Sequence, residues 1–453
     1  MGRPRRKDNR MEQYKTSRYN MYQDFKEGYG IIFNGLSKNI SILSTEKIEI
    51  IKSEKYAELE NSTLKKILEL GYIVSKDFDE KQIIDIRFLQ ECFDSRLDLT
   101  IMPTEDCNFR CKYCYEHFKK GMMNEDVENG IFLYLKKNLR KYNALSVSWF
   151  GGEPTLAINL IEKMSKGFIE LCHRLKIPYS AGITTNGYLL TEKNFNRLVK
   201  SRIRHFQVTL DGLEVYHDKF KRTVDNKSTY GTVLNNLISI KKNSPFRNFD
   251  ITIRTNVSVE MLKDIENITF LYNKEFGDDK RFNFYFRPVG DWGGERVKKI
   301  SESVFKKDLY SLVYSKLSEV NCKLNYRMYY LELKNNIDIC YASRFNSYVI
   351  GMDGTIYKCT TIFEEECNKI GRISKEGNIE LDEKKIAAWT MIGIKKEAIC
   401  EDCGLLGNCH NATCVADQVR GKGTYNCPHL KNSFGDILKL VATNDEYVDY
   451  RED

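Results

Sequence analysis

From residue 97 onward, one pattern constrains the fold more than any other feature. A short apolar, β-rich run, a loop and an amphipathic stripe follow one another six times. The β-type runs are Leu97 to Met102, Leu145 to Phe150, Ala181 to Thr185, Phe206 to Leu210, Ile251 to Val257 and Phe282 to Arg287. Between them, stripes such as Leu160, Ile161, Met164, Phe168 and Leu171, or Val233, Leu234, Leu237 and Ile238, repeat at the period of a helix. Strands that alternate with helices pair in parallel and carry the helices outside, so the expected fold class is α/β. Six units fall short of a closed eight-stranded barrel. The expectation is a partial (β/α)6 barrel of the TIM type, with functional loops at the C-terminal ends of its strands.

The flanking regions read differently. Residues 1–18 form a basic tail expected to be disordered, and 19–96 a small α+β unit. The barrel occupies 97–300, a helical connector 301–338 and a cysteine-rich domain 339–453. In the α+β unit, Tyr29 to Phe33 and Ile40 to Leu43 flank Asn34-Gly35, a hairpin signal. Leu64, Ile67 and Leu68 then mark a helix, Tyr72 to Val74 a strand and Asp79 to Phe93 a second helix. From Cys340 the alternation gives way to cysteine, glycine and short loops. A segment with so little periodic apolar surface is expected to rely on bound metal for its stability.

The formal charge of +8 suggests nucleic acid until it is localised. Residues 1–18 carry seven Lys and Arg against Asp8 and Glu12, which leaves only +3 for the rest of the chain. A solvated basic end explains this better than a nucleic-acid partner. No run of apolar residues is long enough to span a membrane. The basic start has no apolar segment behind it, and Arg6 stands where myristoylation needs Ser or Thr. The expected location is the cytoplasm.

Fourteen cysteines in a large chain without an export signal point to metal rather than disulfides. They fall at 107, 111 and 114, then 340, 359 and 367, then 400, 403, 409, 414 and 427. Cys92, Cys172 and Cys322 stand alone and read as ordinary buried residues. Cys107-Asn-Phe-Arg-Cys111-Lys-Tyr-Cys114 follows directly on the first barrel strand. Three thiolates on one loop hold three irons of a cubane and leave the fourth open, whereas a structural zinc site wants four closed ligands.

This loop resembles the CxxxCxxC loop of the radical S-adenosylmethionine (SAM) superfamily, with aromatic Tyr113 before its last cysteine. The resemblance implies a [4Fe-4S] cluster on Cys107, Cys111 and Cys114 that binds SAM at its open iron and cleaves it reductively. Gly151-Gly152-Glu153-Pro154 resembles the family's GGEP motif, which receives the SAM amino group. Thr184-Thr185-Asn186-Gly187 and Thr209-Leu-Asp211-Gly212 resemble segments that touch the SAM ribose and carboxylate. His217-Asp218 followed by Lys221-Arg222 resembles an HDxxR element, with either Lys221 or Arg222 facing the SAM carboxylate. Arg254 and Asn256 share one face of the fifth strand and are candidates to point into the barrel.

The second cysteine field resembles the SPASM extension of the superfamily, which holds two auxiliary [4Fe-4S] clusters. Carried over by position, Cys340, Cys359 and Cys414 bind the first, and Cys400, Cys403, Cys409 and Cys427 the second. Four residues separate Cys409 from Cys414 where the family usually has three. The first auxiliary cluster is completed by Cys367 or left open to a substrate thiolate. In total the resemblance implies three [4Fe-4S] clusters, SAM, and a flavodoxin or ferredoxin-type electron donor. The N-terminal unit is similar in layout to leader-recognition domains of ribosomal peptide maturases, which take up a precursor peptide by strand addition. The expected function is thus oxidative crosslinking of a precursor peptide through a thioether or carbon-carbon bond. The alternatives are a sulfatase-maturating enzyme, disfavoured because Thr360 and Thr361 follow Cys359 where that family has an Asp, and a non-catalytic electron carrier.

Overall fold

The computed structural model describes residues 13–116, 118–290, 296, 299–300, 309–320, 324–334, 339–391, 398–401, 403–409, 414–421, 427 and 430–452. All six expected barrel strands are present. They are β6 (Arg96–Ile101), β7 (Ala144–Trp149), β8 (Tyr179–Thr185), β9 (Ile203–Thr209), β10 (Asp250–Val257) and β11 (Phe282–Pro288). They pair in parallel and in sequence order. Helices such as α5 (Ile158–Leu175) and α6 (Glu192–Lys200) connect them.

Alternation along each strand decides what the two faces of the sheet do. Leu97, Leu99 and Ile101, Leu145, Val147 and Trp149, and Ile251 and Ile253 are fully or almost fully buried toward the helices. The intervening residues Asp98, Thr100, Ser146, Ser148, Thr184, Gln207 and Thr252 line a cavity of ≈ 640 Å³ on the concave side. A closed TIM barrel fills this space with layers of Val, Ile and Leu. Here the inner face is polar and the space is open.

The sheet continues beyond the six strands. β12 (Ser347–Ile350) adds in parallel beside β6, and β13 (Thr355–Tyr357), β14 (Lys369–Ile373) and β15 (Ile379–Leu381) extend it antiparallel to ten strands. Where short loops were expected to dominate after Cys340, four short strands continue the sheet. These strands are only three to five residues long, too short for a period to stand out in sequence. Residues 309–320 and 324–334 include the helices Leu309–Glu319 and Arg327–Lys334.

A second correction concerns the N-terminus. Tyr14–Thr16 forms β1, antiparallel to β5 (Ile73–Ser75), so the end of the basic segment belongs to the fold. Residues 1–12 and Cys322 lie outside the described residues, while Cys92 and Cys172 are buried as read. β2 (Asn20–Lys26), β3 (Tyr29–Asn34) and β4 (Ile40–Ser44) form an antiparallel meander, followed by helices α1 (Thr45–Lys52), α2 (Asn61–Glu69) and α3 (Glu80–Cys92). β3 is buried on both faces, so both need a cover. One face carries Ile32 against Ile48, Ile51 and Ile67 of α1 and α2. The other carries Ile31 and Phe33 against Phe434, Ile437 and Leu438 of the helix Leu430–Ala442, with the Phe33 and Phe434 rings 5.3 Å apart. The chain's C-terminal strand β16 (Tyr450–Arg451) then pairs with β4. β16 thus joins the sheet of β2, β3 and β4 as a fourth strand.

Replacing Phe434, which is 3% exposed, by Ala should lower global stability by about 3 to 5 kcal/mol. The denaturant midpoint of the purified variant checks this.

Candidate active site

The cysteine loop leaves β6 at its C-terminal end and is gripped from two sides. On one side stands the Gly151-Gly152 turn after β7. Gly152 N–H donates to Thr104 O at 3.2 Å and Glu153 N–H to Asp106 O at 2.8 Å. A Cβ on Gly151 would lie 2.2 Å from Thr104 O, and one on Gly152 would lie 2.2 Å from Asp106 O. Gly151 also has φ +121°, open only to glycine. These glycines therefore let two backbones touch.

On the other side, the segment after helix α7 (Glu214–Phe220) runs along the loop. Arg110 N–H donates to Arg222 O at 2.8 Å, Lys112 N–H to Phe220 O at 2.9 Å and Val224 N–H to Asn108 O at 3.0 Å. The His217-Asp218 pair fixes this brace. Asp211 N–H donates to His217 Nδ1 at 3.0 Å, which leaves the ring proton on Nε2 facing Thr229 Oγ1 at 3.1 Å. Burial pushes His217 down to about 4, the neutral form this geometry needs. Asp218 accepts from the N–H groups of Thr229 and Tyr230 at 2.9 and 3.1 Å, at the start of helix α8 (Tyr230–Asn243).

Cys107, Cys111 and Cys114 line one cleft of ≈ 320 Å³ with Tyr113, Gly151, Gly152, Glu153, Thr185, Asn186, Thr209, Arg254 and Asn256. Lys221 and Arg222 do not line it. Arg222 donates to the carbonyls of Asp218 and Asn226 at 2.8 and 3.2 Å. Lys221 is buried with Nζ 4.0 Å from Asp211 and 5.8 Å from the Tyr113 ring centre. Its positive charge opposes the rise that burial imposes on the Cys111 thiol.

Glu153 is 1% exposed and its carboxylate is already heavily bonded. Oε1 accepts from Thr155 N–H at 2.9 Å, Thr155 Oγ1 at 2.5 Å and Thr185 Oγ1 at 2.7 Å, and Oε2 from Asn186 N–H at 2.7 Å. Burial raises this carboxyl and the four bonds oppose the rise. Asn186 Nδ2 donates to Asn108 Oδ1 at 2.8 Å and approaches Cys107 Sγ at 3.8 Å. Tyr113 OH bonds Asp211, and Asn256 N–H donates to the same carboxylate at 2.9 Å.

The donor set fits an iron-sulfur cluster. Burial pushes the Cys107 and Cys114 thiols up, Cys114 to about 12, with Glu153 adding to the rise at Cys107 and Cys111 to that at Cys114, so a bound cation such as cluster iron would favour their thiolate forms. Among the described residues, no three Cys, His, Asp or Glu side chains converge on a point suited to one ion. A cubane suits this spacing because it takes one thiolate per iron. Polar side chains and backbone beside the thiols supply the contacts a zwitterionic nucleoside needs.

In the C-terminal region, Cys340, Cys359 and Cys414 come together. Burial pushes Cys340 up to about 12, with Cys359 and Cys414 adding to the rise. Burial raises the Cys367 thiol, with Glu365 adding to the rise and Arg420 opposing it. Cys400, Cys403 and Cys409 share one turn-rich segment, with Cys403 N–H donating to Cys400 O at 3.2 Å, while Cys427 is exposed beside Lys431. Residues 410–413 and 422–426, between these groups, lie outside the described residues.

Sequence reasoning missed several groups. Tyr115, Glu116 and Phe118 line the cleft, and Glu116 Oε2 is buried without a partner. Gln207 and Thr360 line both the cleft and the larger cavity below it. Tyr341 OH and Thr360 Oγ1 are 2.8 Å apart, so residues next to Cys340 and Cys359 form part of the cavity wall. The inward parity of Gln207 with Thr209 was the one available signal for it.

The sequence profile of the radical SAM superfamily matches residues 101–268. An uncharacterized protein of Methanocaldococcus jannaschii is 27% identical over 303 residues, 64% of this chain and 94% of that protein. GTP 3',8-cyclase of Staphylococcus aureus is 24% identical over 230 residues, 48% of this chain and 61% of the cyclase. Among solved structures, native anSMEcpe with bound AdoMet superposes with a TM-score of 0.60 at 18% identity, covering 77% of this chain and 97% of its own. The form with bound AdoMet and Cp18Cys peptide gives a TM-score of 0.57 at 17% identity, covering 77% and 97%.

Gly152→Ala should lose most cluster iron after anaerobic reconstitution while the circular dichroism spectrum is kept, because the added Cβ displaces the Asp106 backbone. Iron and sulfide analysis beside the parent chain checks this.

Proposed function

We propose that this chain, whose residues 101–268 match the radical SAM superfamily, is a radical SAM peptide maturase which oxidatively crosslinks a precursor peptide. The observation that carries the reading is the open cavity of ≈ 640 Å³, lined by polar strand residues together with apolar Phe150, Met328 and Leu331, which shares Gln207, Thr184 and Thr360 with the thiol cleft. A cavity of this size, with apolar walls interrupted by hydroxyl, amide and charged groups, suits an extended polypeptide segment with mixed side chains. A solved protein of this fold binds a peptide, Cp18Cys, together with AdoMet.

When bound, a cluster and SAM would supply radical chemistry able to remove hydrogen from a substrate carbon. The protein's own residues decide which carbon that is. Cys107, Cys111 and Cys114 would hold the cluster, and the close packing of Gly152 on Asp106 fixes its place. Glu153, held by Thr155, Thr185 and Asn186, keeps the adjoining wall rigid and presents an anionic edge to the cofactor's ammonium. Arg254, whose Nε donates to Asn256 Oδ1 at 3.1 Å, places a cation across the same cleft. Phe118 and Val289 supply apolar surface that excludes water from a reactive site.

Joining a thiol to a carbon removes two protons and two electrons in all: one of each would leave together as the hydrogen atom taken up by the 5'-deoxyadenosyl group of SAM, and the remaining electron would pass to an auxiliary cluster as the thiol proton is lost. Cys340, Cys359 and Cys414 would hold the auxiliary cluster next to the Tyr341 and Thr360 wall, with Cys400, Cys403, Cys409 and Cys427 holding a further one. A flavodoxin or ferredoxin-type donor would supply the starting electron.

The reading is tested with the anaerobically reconstituted enzyme, SAM, a reductant and the precursor peptides encoded beside its gene. The expected product is lighter by two hydrogens and resists thiol alkylation at the joined cysteine, with 5'-deoxyadenosine formed in step. Formation of formylglycine in a sulfatase, with no change in any peptide, would overturn it.

A further inference from the structure

The segment that braces the cysteine loop places one buried cation behind it. Val224 N–H donates to Asn108 O, Arg110 N–H to Arg222 O and Lys112 N–H to Phe220 O, at 3.0, 2.8 and 2.9 Å. Phe109 and Thr223 form an antiparallel bridge in the same register. That register sets Cys111 directly opposite Lys221. The two lie between bonded positions and exchange no main-chain bond. In an antiparallel pairing, such partners have the closest side chains, and both point to one face.

Lys221 is 4% exposed and does not line the thiol cleft. Its Nζ lies 5.8 Å from the centre of the Tyr113 ring, in the residue before Cys114. The carboxylate of Asp211 is 4.0 Å away, beyond hydrogen-bond length. Asp211 is bonded elsewhere. It accepts from Tyr113 OH, and from Asn256 N–H and Nδ2 at 2.9 and 3.2 Å. Burial raises the Cys111 thiol, and Lys221 opposes that rise more strongly than Asp211 adds to it. Cation and carboxylate thus form a loose buried pair whose positive member dominates at the loop.

We infer that Lys221 eases reduction of the cluster that Cys107, Cys111 and Cys114 would hold, acting as a buried cation behind the loop and not as a contact for the cofactor's carboxylate. This rests on the cluster reading of the three thiols and adds to it how the chain itself sets the cluster's redox balance. One electron entering the cluster adds one negative charge, and the net charge around such a centre is one of the terms that fix its potential. A cation held close by lowers the energy of that added charge, and burial keeps solvent and salt from screening it. Asp211 works against the effect, so the two residues act with opposite signs. A residue that held the cofactor's carboxylate would instead have to reach the cleft.

The test uses the whole chain with Cys340, Cys359, Cys400 and Cys403 replaced by Ala, reconstituted anaerobically so that a single cluster is observed. Redox mediators set a series of solution potentials without SAM, and electron paramagnetic resonance reads the reduced fraction. At the parent's midpoint, Lys221→Met should lower the ratio of reduced to oxidised cluster about tenfold, and Asp211→Asn should raise it about tenfold. Lys221→Arg keeps the charge and should hold the ratio within about twofold. The affinity of the oxidised cluster for SAM, read by calorimetry, should change by less than about twofold in Lys221→Met. An unchanged ratio in a Lys221→Met chain that carries the parent's iron would overturn the inference. So would a fall in the ratio for Asp211→Asn, or a loss of about tenfold or more in SAM affinity for Lys221→Met at an unchanged potential, which would make Lys221 the carboxylate contact. If Lys221→Met takes up no iron, Asp211→Asn decides, and any result other than a raised ratio overturns the inference. A parent chain that binds no iron removes the cluster reading and this inference together, whereas a loaded parent whose ratio ignores residues 211 and 221 removes this inference alone.

Discussion

The structure depends on the approach of two backbones at van der Waals distance. The cysteine loop after β6 lies on the glycine turn after β7, with carbonyl oxygens of Thr104 and Asp106 where side chains of residues 151 and 152 would begin. Parallel pairing of β6 and β7 in register from Arg96 and Ala144 to Ile101 and Trp149 brings the two loops out side by side. The antiparallel bridge of Phe109 to Thr223 closes the other flank. A loop held on both sides presents its three thiols without reorganisation. That preorganisation is what a site controlling a radical needs, because a misplaced radical attacks its own protein.

The second consequence of the fold is the division between faces. The outward residues of the barrel strands are apolar and bind the helices, which frees the inner residues from any packing duty. Asp98, Thr100, Ser146, Ser148, Gln207 and Thr252 therefore remain as walls of a cavity. The partial barrel stays open where a closed one would be full, and β12 to β15 with Cys340 and Cys359 border the open side.

The six strands and the three-cysteine loop were readable because each is a local signal. Strand runs alternate with helical stripes at fixed periods, and the thiols lie within eight residues of chain. The short strands β12 to β15 were not readable, since three to five residues show no period. Pairing of β16 with β4 joins positions about four hundred residues apart, and nothing local announces it. Lys221 and Arg222 were assigned to the cofactor by motif offset. Lys221 instead sits buried beside Asp211, and Arg222 is taken up by carbonyls of its own turn. The roles of Gln207, Glu116 and Thr360 depend on which face the tertiary fold turns inward. The grouping of Cys340, Cys359 and Cys414, with Cys367 or a substrate thiolate to complete it, followed positional resemblance alone, because these cysteines lie too far apart in the chain for spacing to announce a shared site.

The account turns on a cubane held by Cys107, Cys111 and Cys114 with one iron left for the cofactor. Electron paramagnetic resonance of the reduced enzyme, with Cys340, Cys359, Cys400 and Cys403 replaced by Ala so that the auxiliary signals are removed, addresses this most directly. Addition of SAM should shift the g-values of the remaining cluster, and ¹⁷O-carboxylate-labelled SAM should broaden the signal. A cluster spectrum that is indifferent to SAM would contradict the account.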